Sequence, residues 1–511
     1  MSLAVLSSCT LRGLRACAVQ VEVHVGRGLP AFSLVGSLAA EVRESRERVR
    51  SAILNSGFTF PDGRITVNLA PADLPKESGH FDLPIALGVL LASGQIVDAA
   101  GHAPRVGRYL LCGELSLTGS IVATGSALAI GLSVVRDRLP GNPLANALIL
   151  ASRDAPMAAQ VPGLVAFGAD TLADAVGHLS GRHPLQQARA PAPTSPSFER
   201  VPCLSDVRGQ LAARQALEVA AAGAHGLLMS GTPGVGKSML AQRLPGLLPP
   251  LTLEQTLEVA AVHSLVTPGY EPDASAPFRA PHHSASMAAL VGGGLRIRPG
   301  EISLAHHGVL FLDEFPEFDR RALEALREPL ETGQITVARA SGTCRFPAGF
   351  QLVAAMNPCP CGWYGHTDRQ PACQCSDEQV RRYRNRISGP LLDRIDLHVR
   401  LAPEARASEA APGEPSAAVR ERVRAARTRQ WARQGCLNSQ LQGAALEAHA
   451  PLDRESRSLL REAQQAWNWS VRSVQRTQRV ARTLADLQHA PRMGSQHVAQ
   501  AMQYRPESVC R

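Results

Sequence analysis

The sequence predicts a multidomain α/β protein built around a phosphate-binding parallel-sheet domain. Three observations predict it. The string GTPGVGKS, Gly231 to Ser238, fits G-x-x-x-x-G-K-[ST] between a strand-like HGLLMS and a helix-like MLAQRLPGLL. A second apolar run, GVLFLDEF, ends in two acids. Two proline-rich breaks, at residues 181–200 and 402–418, leave parts of roughly 180, 200 and 100 residues.

Composition limits the alternatives. The 511 residues are 45% hydrophobic, 19% charged and 4% aromatic. That supplies several apolar cores and excludes wholesale disorder, and the low charge argues against a coiled coil. Lys plus Arg is 53 and Asp plus Glu 44, a net +9, which permits an anionic partner. The first residues lack a secretory pattern, and no run reaches the ~18 apolar residues of a membrane span; residues 83–92 are too short. The expectation is a cytoplasmic protein with no membrane partner. Eleven cysteines, four of them between Cys359 and Cys375, suggest a local metal site rather than a disulfide framework.

Along the chain, residues 18–25 alternate like a strand, and residues 37–55 have helical spacing with many charges. After the first break comes the phosphate loop: Gly231, Thr232, Pro233, Gly234, Val235, Gly236, Lys237 and Ser238. Gly234 and Gly236 let backbone N–H groups turn toward a phosphate, Lys237 adds a cation, and Ser238 offers a hydroxyl to Mg²⁺. In GVLFLDEF, Val309 to Leu312 would be buried in a parallel sheet, leaving Asp313 and Glu314 at its ligand-binding edge. Asp313 can hold Mg²⁺ through water, and Glu314 can polarise an attacking water. FQLVAAMN ends in Asn357, which can orient that water or form a turn. Arg394 in SGPLLDRIDLHV can neutralise phosphoryl charge from a neighbouring subunit or pair with Asp393 or Asp396. Arg420, Arg422, Arg424, Arg427, Arg429 and Arg433 stud a helix, and helical spacing resumes beyond Pro451.

These motifs together resemble an AAA+ ATPase. APHHSAS, PGEISLAHHGVLFLDE, REPLE and MNPCPCG resemble its magnesium-chelatase-like branch. NLAPADLPKESGHFDLPIALGVLLASGQI and GELSLTGSI resemble the YifB/ComM family within that branch. The resemblance covers nearly the whole chain. It implies a Lon-protease/ribosomal-S5-like α+β domain over residues 1–180, a linker over 181–200, and an AAA+ core over 201–402. The core would carry a helix-2 insert and a pre-sensor-1 hairpin, and a helical lid would follow over 403–511. It implies ATP and Mg²⁺, a homohexameric ring, and a DNA helicase promoting branch migration in natural transformation, with recombination or competence proteins as partners. Lys237 and Ser238 then match Walker A, Asp313 and Glu314 Walker B, Asn357 sensor 1, Arg394 the arginine finger and Arg472 sensor 2. Two positions depart: His307 stands where the family has Asn, near the ring pore or on the surface, and Gln475 where it has Asp.

A Lon-like domain raises proteolysis as a rival. Ser78 lies in the relevant region, but IVATGSALAIGL carries no lysine base, so a scaffold is expected. Cys359, Cys361, Cys373 and Cys375 form C-x-C…C-x-C, a set suited to tetrahedral Zn²⁺, with His366 or Asp368 as substitutes and reduced surface thiols as the alternative. Arginines at 296, 298, 339, 345, 381, 382, 384 and 386 are solvated surface or, as a set, a grip on a phosphate backbone. The two functional expectations are an ATP-driven DNA motor and a chelatase-like remodeller of a protein partner in metal insertion.

Overall fold

The computed structural model describes residues 2–36, 40–74, 76, 79–104, 106–137, 147–191, 198, 201–294, 297–339, 342–365, 372–403 and 411–505. The chain is mixed α/β, with two large sheets followed by helices. The first sheet has seven strands in the order Ala31–Val35, Arg64–Ala70, Arg15–Gly26, Ser2–Arg12, Tyr109–Leu111, Ala147–Ala151 and Val165–Ala169. The alternation at residues 18–25 lies within Arg15–Gly26, and the charged helix runs Ala40–Asn55. The apolar run at residues 83–92 is a core helix, Asp82–Ala92. Gly88 lets it meet the sheet: a Cβ there would fall 2.5 Å from Val23 Cγ2. Among the described residues no helix is long and apolar enough to cross a membrane. Ser78 lies outside the described residues.

The second sheet is parallel throughout, in the order Phe278–Arg279, Val309–Leu312, Gln351–Met356, Leu227–Gly231 and Leu397–Leu401. Val309–Leu312 and Gln351–Met356 are buried at every position, as expected for strands covered on both faces. The helix expected after the phosphate loop is shorter than its apolar run. It spans Lys237–Ala241 and gives way to a 3₁₀ turn at Leu244–Leu247, where Pro245 supplies no N–H for the α-helical ladder.

The arginine-rich segment forms the helix Ser416–Gln434 and fastens the last helices to the second sheet's layer. Arg422 grips Glu218 through Nε at 2.6 Å and Nη2 at 2.9 Å. Arg427 donates to Ala221 O at 2.9 and 2.6 Å, satisfying one carbonyl at the negative end of the helix Leu211–Gly223. Arg433 reaches Asp486 with both terminal nitrogens. The second proline-rich break is not free chain at its end. A Cβ on Gly413 would meet Leu204 O at 2.6 Å, and Ser416 Oγ accepts from Leu204 N at 2.8 Å.

The two sheet layers are joined directly. Leu257, Ala260 and Ala261 of the helix Leu253–Ser264 share one apolar cluster with Leu128, Ile130 and Val134 of Ala127–Asp137. Arg136 pairs with Glu258 at 2.7 Å across this seam.

Candidate nucleotide site

Parallel strands present their C-terminal ends at one sheet edge, and three of these ends carry the polar residues of the site. Leu227–Gly231 runs into the phosphate loop, Val309–Leu312 into Asp313 and Glu314, and Gln351–Met356 into Asn357. Gly234 and Gly236 have φ of +81° and +89°, a region that favours glycine. A Cβ on Gly234 would touch nothing within 4 Å, so the mouth of the loop is open there.

Lys237 is buried, and its ammonium donates to Gly231 O at 2.7 Å, Thr232 O at 3.0 Å and Asn357 Oδ1 at 3.0 Å. Burial lowers its pKa, opposed by Asp313 and Glu314. The Ser238 hydroxyl donates to Asp313 Oδ2 at 2.5 Å. Two hard oxygens thus converge beside the loop, a donor set that fits Mg²⁺. Glu314 sits in the left-handed region at φ 52°, its N–H donating to Asp313 Oδ1 at 2.9 Å. Its carboxylate lies 2.7 Å from His283 Nδ1. Sequence reasoning missed His283. The available signal was its place four residues after Phe278–Arg279, the strand beside Val309–Leu312.

Arg394 and Arg472 are not gathered with these residues. Both line a cleft of about 1480 Å³ whose other walls include Gly226, Gly308, Gln351 and Leu352, residues at the opposite, N-terminal ends of the strands. Arg394 is ion-paired to Glu331 and donates to Pro390 O at 2.7 Å, rather than pairing with Asp393 or Asp396. Asp396 instead accepts from buried His225 at 2.9 Å, and His225 Nε2 meets Thr483 Oγ1 at 2.7 Å. This network ties the strand start, the loop after Arg394 and the last long helix together. Arg472 is exposed and Gln475 lines the same cleft.

The four clustered cysteines do converge. Cys359 Sγ is 3.3 Å from Cys361 Sγ and 3.7 Å from Cys373 Sγ, and all four sulfurs lie within 4.8 Å of one another. Burial raises the Cys361 thiol pKa, but the amides of Trp363 and Gln374 and its neighbouring thiols outweigh that and leave it at about 6. His366 and Asp368 lie outside the described residues.

The arginine set divides. Tyr383 is buried, Arg384 donates to Pro358 O at 3.3 Å and stacks over Tyr364, and Arg386 pairs with Glu317. Residues 384 and 386 are therefore engaged in packing, while Arg381 and Arg382 are exposed. Arg298 ends the short hairpin Gly292–Gly293/Arg298–Pro299, and Arg339 and Arg345 lie on the hairpin Gln334–Arg339/Gly342–Pro347. All three are exposed. The hairpins touch, since a Cβ on Gly293 would fall 2.9 Å from Arg339 Nη2. Arg12 from the first sheet joins them, its guanidinium 2.9 Å from where a Gly342 Cβ would stand. Arg296 lies outside the described residues.

Comparison with known proteins matches this architecture from end to end. Residues 203–409 match the family model "Magnesium chelatase, subunit ChlI", residues 21–140 "Subunit ChlI of Mg-chelatase", and residues 413–505 "Magnesium chelatase, subunit ChlI C-terminal". "Uncharacterized protein YifB" of Escherichia coli is 43% identical over 511 residues, 99% of this chain and 97% of that protein. "Competence protein ComM" of Haemophilus influenzae is 44% identical over 513 residues, 99% of this chain and 98% of that protein. The chain belongs to the YifB/ComM family of magnesium-chelatase-like AAA+ proteins. That family implies ATPase activity with ATP and Mg²⁺.

His307, where the resemblance implies Asn, falls at the seam between the sheet layers. His307 has φ 57°, which asparagine adopts more readily than histidine, and its Nε2 lies 2.6 Å from Glu258 Oε2. Glu258 is also bonded to His306 and Arg136; burial raises its pKa, but the hydrogen bonds from His306, His307 and Arg136 outweigh that and hold it well below the usual carboxylate range. Although Glu258, His306 and His307 are close enough to share a metal, His306 Nδ1 accepts from Gly349 N at 3.0 Å. The ring proton therefore sits on the Nε2 that faces Glu258, leaving no lone pair there for a cation.

Proposed function

We propose that this chain is an ATP-dependent, ring-forming DNA motor, a helicase promoting branch migration of joint molecules in homologous recombination during natural transformation. The observation that carries the reading is the set of exposed arginines carried by two touching hairpins, Arg298, Arg339 and Arg345, with Arg12 beside the second. Such a set, repeated around a homohexamer in the cytoplasm, grips a phosphate backbone by charge. The name of the ComM relative supports a role in competence. Recombination or competence proteins are the expected partners.

In this reading the boundaries are 1–180 for a Lon/S5-like domain, 181–200 for a linker, 201–402 for the AAA+ core and 403–511 for the lid. Gly231 to Ser238 cradle the triphosphate, and Lys237 exchanges its contacts with Gly231 O, Thr232 O and Asn357 for phosphate oxygens. Ser238 and Asp313 hold Mg²⁺, which when bound neutralises phosphate charge. Glu314 orients and activates the attacking water, with Asn357 beside it. Arg394 and Arg472, on the far side of the chain from its own phosphate loop, complete the site of the next subunit. The four cysteines hold a structural Zn²⁺.

The test is ATP turnover with and without a four-way DNA junction, with Glu314→Gln as control. Stimulation with ATP-dependent junction dissociation supports the motor. Turnover indifferent to every DNA form supports the protein remodeller suggested by the magnesium-chelatase kinship, and sinks the DNA reading.

A further inference from the structure

The geometry points to a second role for the four-cysteine cluster: we propose that zinc held by Cys359, Cys361, Cys373 and Cys375 braces the phosphate loop, so that metal occupancy sets nucleotide affinity. The inference rests on the nucleotide-binding reading of that loop and not on DNA as the motor's track.

The sulfurs are spaced for a metal. Cys361 Sγ lies 3.5 Å from Cys373 Sγ, beside the 3.3 and 3.7 Å separations from Cys359. A tetrahedron with Zn–S arms of about 2.3 Å has edges of about 3.8 Å, whereas a disulfide requires about 2.05 Å. Four protonated thiols gain little from such crowding, but four thiolates around one divalent cation gain a great deal, and the thiol protons leave to solvent as it binds. The Cys359 sulfur is fully buried and accepts the Tyr364 N–H at 3.3 Å, the kind of outer contact that orients a thiolate ligand. With four protein ligands the site is closed, which marks it as structural rather than catalytic.

Its position couples it to the nucleotide site in two ways. Cys359 follows Asn357 by two residues, and Asn357 Oδ1 holds Lys237 Nζ at 3.0 Å. Gly362, at φ +87°, lies flush against Pro233 of the phosphate loop: a Cβ there would fall 2.6 Å from Pro233 Cδ and 2.7 Å from Cγ. The cysteine loop is thus a floor under the third residue of the phosphate loop. From the other side, Arg384 donates to Pro358 O and covers the Tyr364 ring at 5.2 Å. A floor pinned by metal keeps the phosphate loop in its binding shape; an unpinned one makes nucleotide binding bear the ordering cost.

The experiment uses the full chain, purified reduced and without DNA. Zinc is measured by elemental analysis, cobalt(II) exchange by absorption, and nucleotide affinity with a fluorescent ATP analogue. The expected result is one zinc per chain, a tetrahedral thiolate cobalt spectrum, and affinity about tenfold weaker after chelation, restored by zinc alone. Cys373→Ser with Cys375→Ser reproduces the loss. Gly362→Ala keeps the zinc ligands and the zinc yet weakens nucleotide binding, which guards against an unfolded cysteine variant. Lys237→Ala, with zinc retained and nucleotide lost, confirms that the titration reads the loop; unaltered binding there overturns the nucleotide reading itself. A chain that carries no zinc and shows four reactive thiols overturns the metal site. Equal affinity in zinc-loaded and zinc-free protein, or in Gly362→Ala, overturns the coupling.

Discussion

His283 Nδ1 lies 2.7 Å from Glu314 Oε2, so the acid that ends the strand Val309–Leu312 is held by a ring on the loop that follows the neighbouring strand. The ring occupies one of the two carboxylate oxygens and so competes with a water for Glu314. His283 precedes the Arg298 hairpin in sequence, which links the resting position of Glu314 to the segment proposed to meet DNA.

Removing that ring frees Glu314. Both partners are partly exposed, so the pair is worth at most ~1 kcal/mol. His283→Ala is expected to raise DNA-free ATP turnover about two- to fivefold on that scale. A fall in turnover, with ATP binding intact, would show that His283 assists hydrolysis instead.

Lys237→Ala should abolish binding of a fluorescent ATP analogue, because it removes the one cation seated inside the loop. Glu314→Gln should keep that binding while turnover falls about 100-fold or more. Retained turnover in the glutamine variant would reassign the base.

Arg394→Ala should bind ATP yet lose about 1,000-fold in turnover, the scale of a missing arginine finger. Mixing it with Glu314→Gln should restore part of the activity, since one boundary in the mixed ring joins an intact acid to an intact arginine. No recovery at any mixing ratio would argue against a site shared between subunits.

His80 is buried beside the first sheet, its Nε2 2.6 Å from Cys9 O and its Nδ1 without a partner. Burial, opposed by the Cys9 carbonyl, lowers its pKa to about 4. An unfolded histidine titrates near 6.5, so between pH 6.5 and about 4 the unfolded chain binds the extra proton and stability falls with pH. Full passage costs about 3 kcal/mol at 1.36 kcal/mol per unit. The apparent Tm should drop over that window, and His80→Gln should flatten the drop; an unchanged profile in the variant would locate the titration elsewhere.

Asp486 is 1% exposed and accepts from Arg433, Arg482 and Asn438. Asp486→Ala leaves two guanidinium groups unpaired and should destabilise the terminal helices by about 3–5 kcal/mol. Chemical denaturation followed at Trp467 and Trp469 would read it; a loss below about 1 kcal/mol would mean that water replaces the carboxylate.

The glycine loop from Gly231 to Ser238, the two acids after an apolar strand, and Asn357 after another are legible in the chain alone. These are local signals: glycine placement, strand periodicity and a polar residue at a strand's end follow from a few adjacent residues. The family strings carried the mixed α/β class and the terminal helices, because they match a whole chain in short fragments. Which long-range partners meet depends on how the layers pack. His283 reached Glu314, Gly362 reached Pro233, and Arg12 reached the second-layer hairpins through contacts between segments distant in sequence. The packing also separated Arg394 and Arg472 from the glycine loop, since they stand at the N-terminal ends of strands whose C-terminal ends lead into that loop, Asp313, Glu314 and Asn357. The arginine-rich helix shows the limit most plainly. Its composition suits an anionic partner, but a helix-end carbonyl and carboxylates of this chain, Glu218, Glu414 and the buried Asp486, lie within reach of those side chains and engage Arg422, Arg427 and Arg433 first.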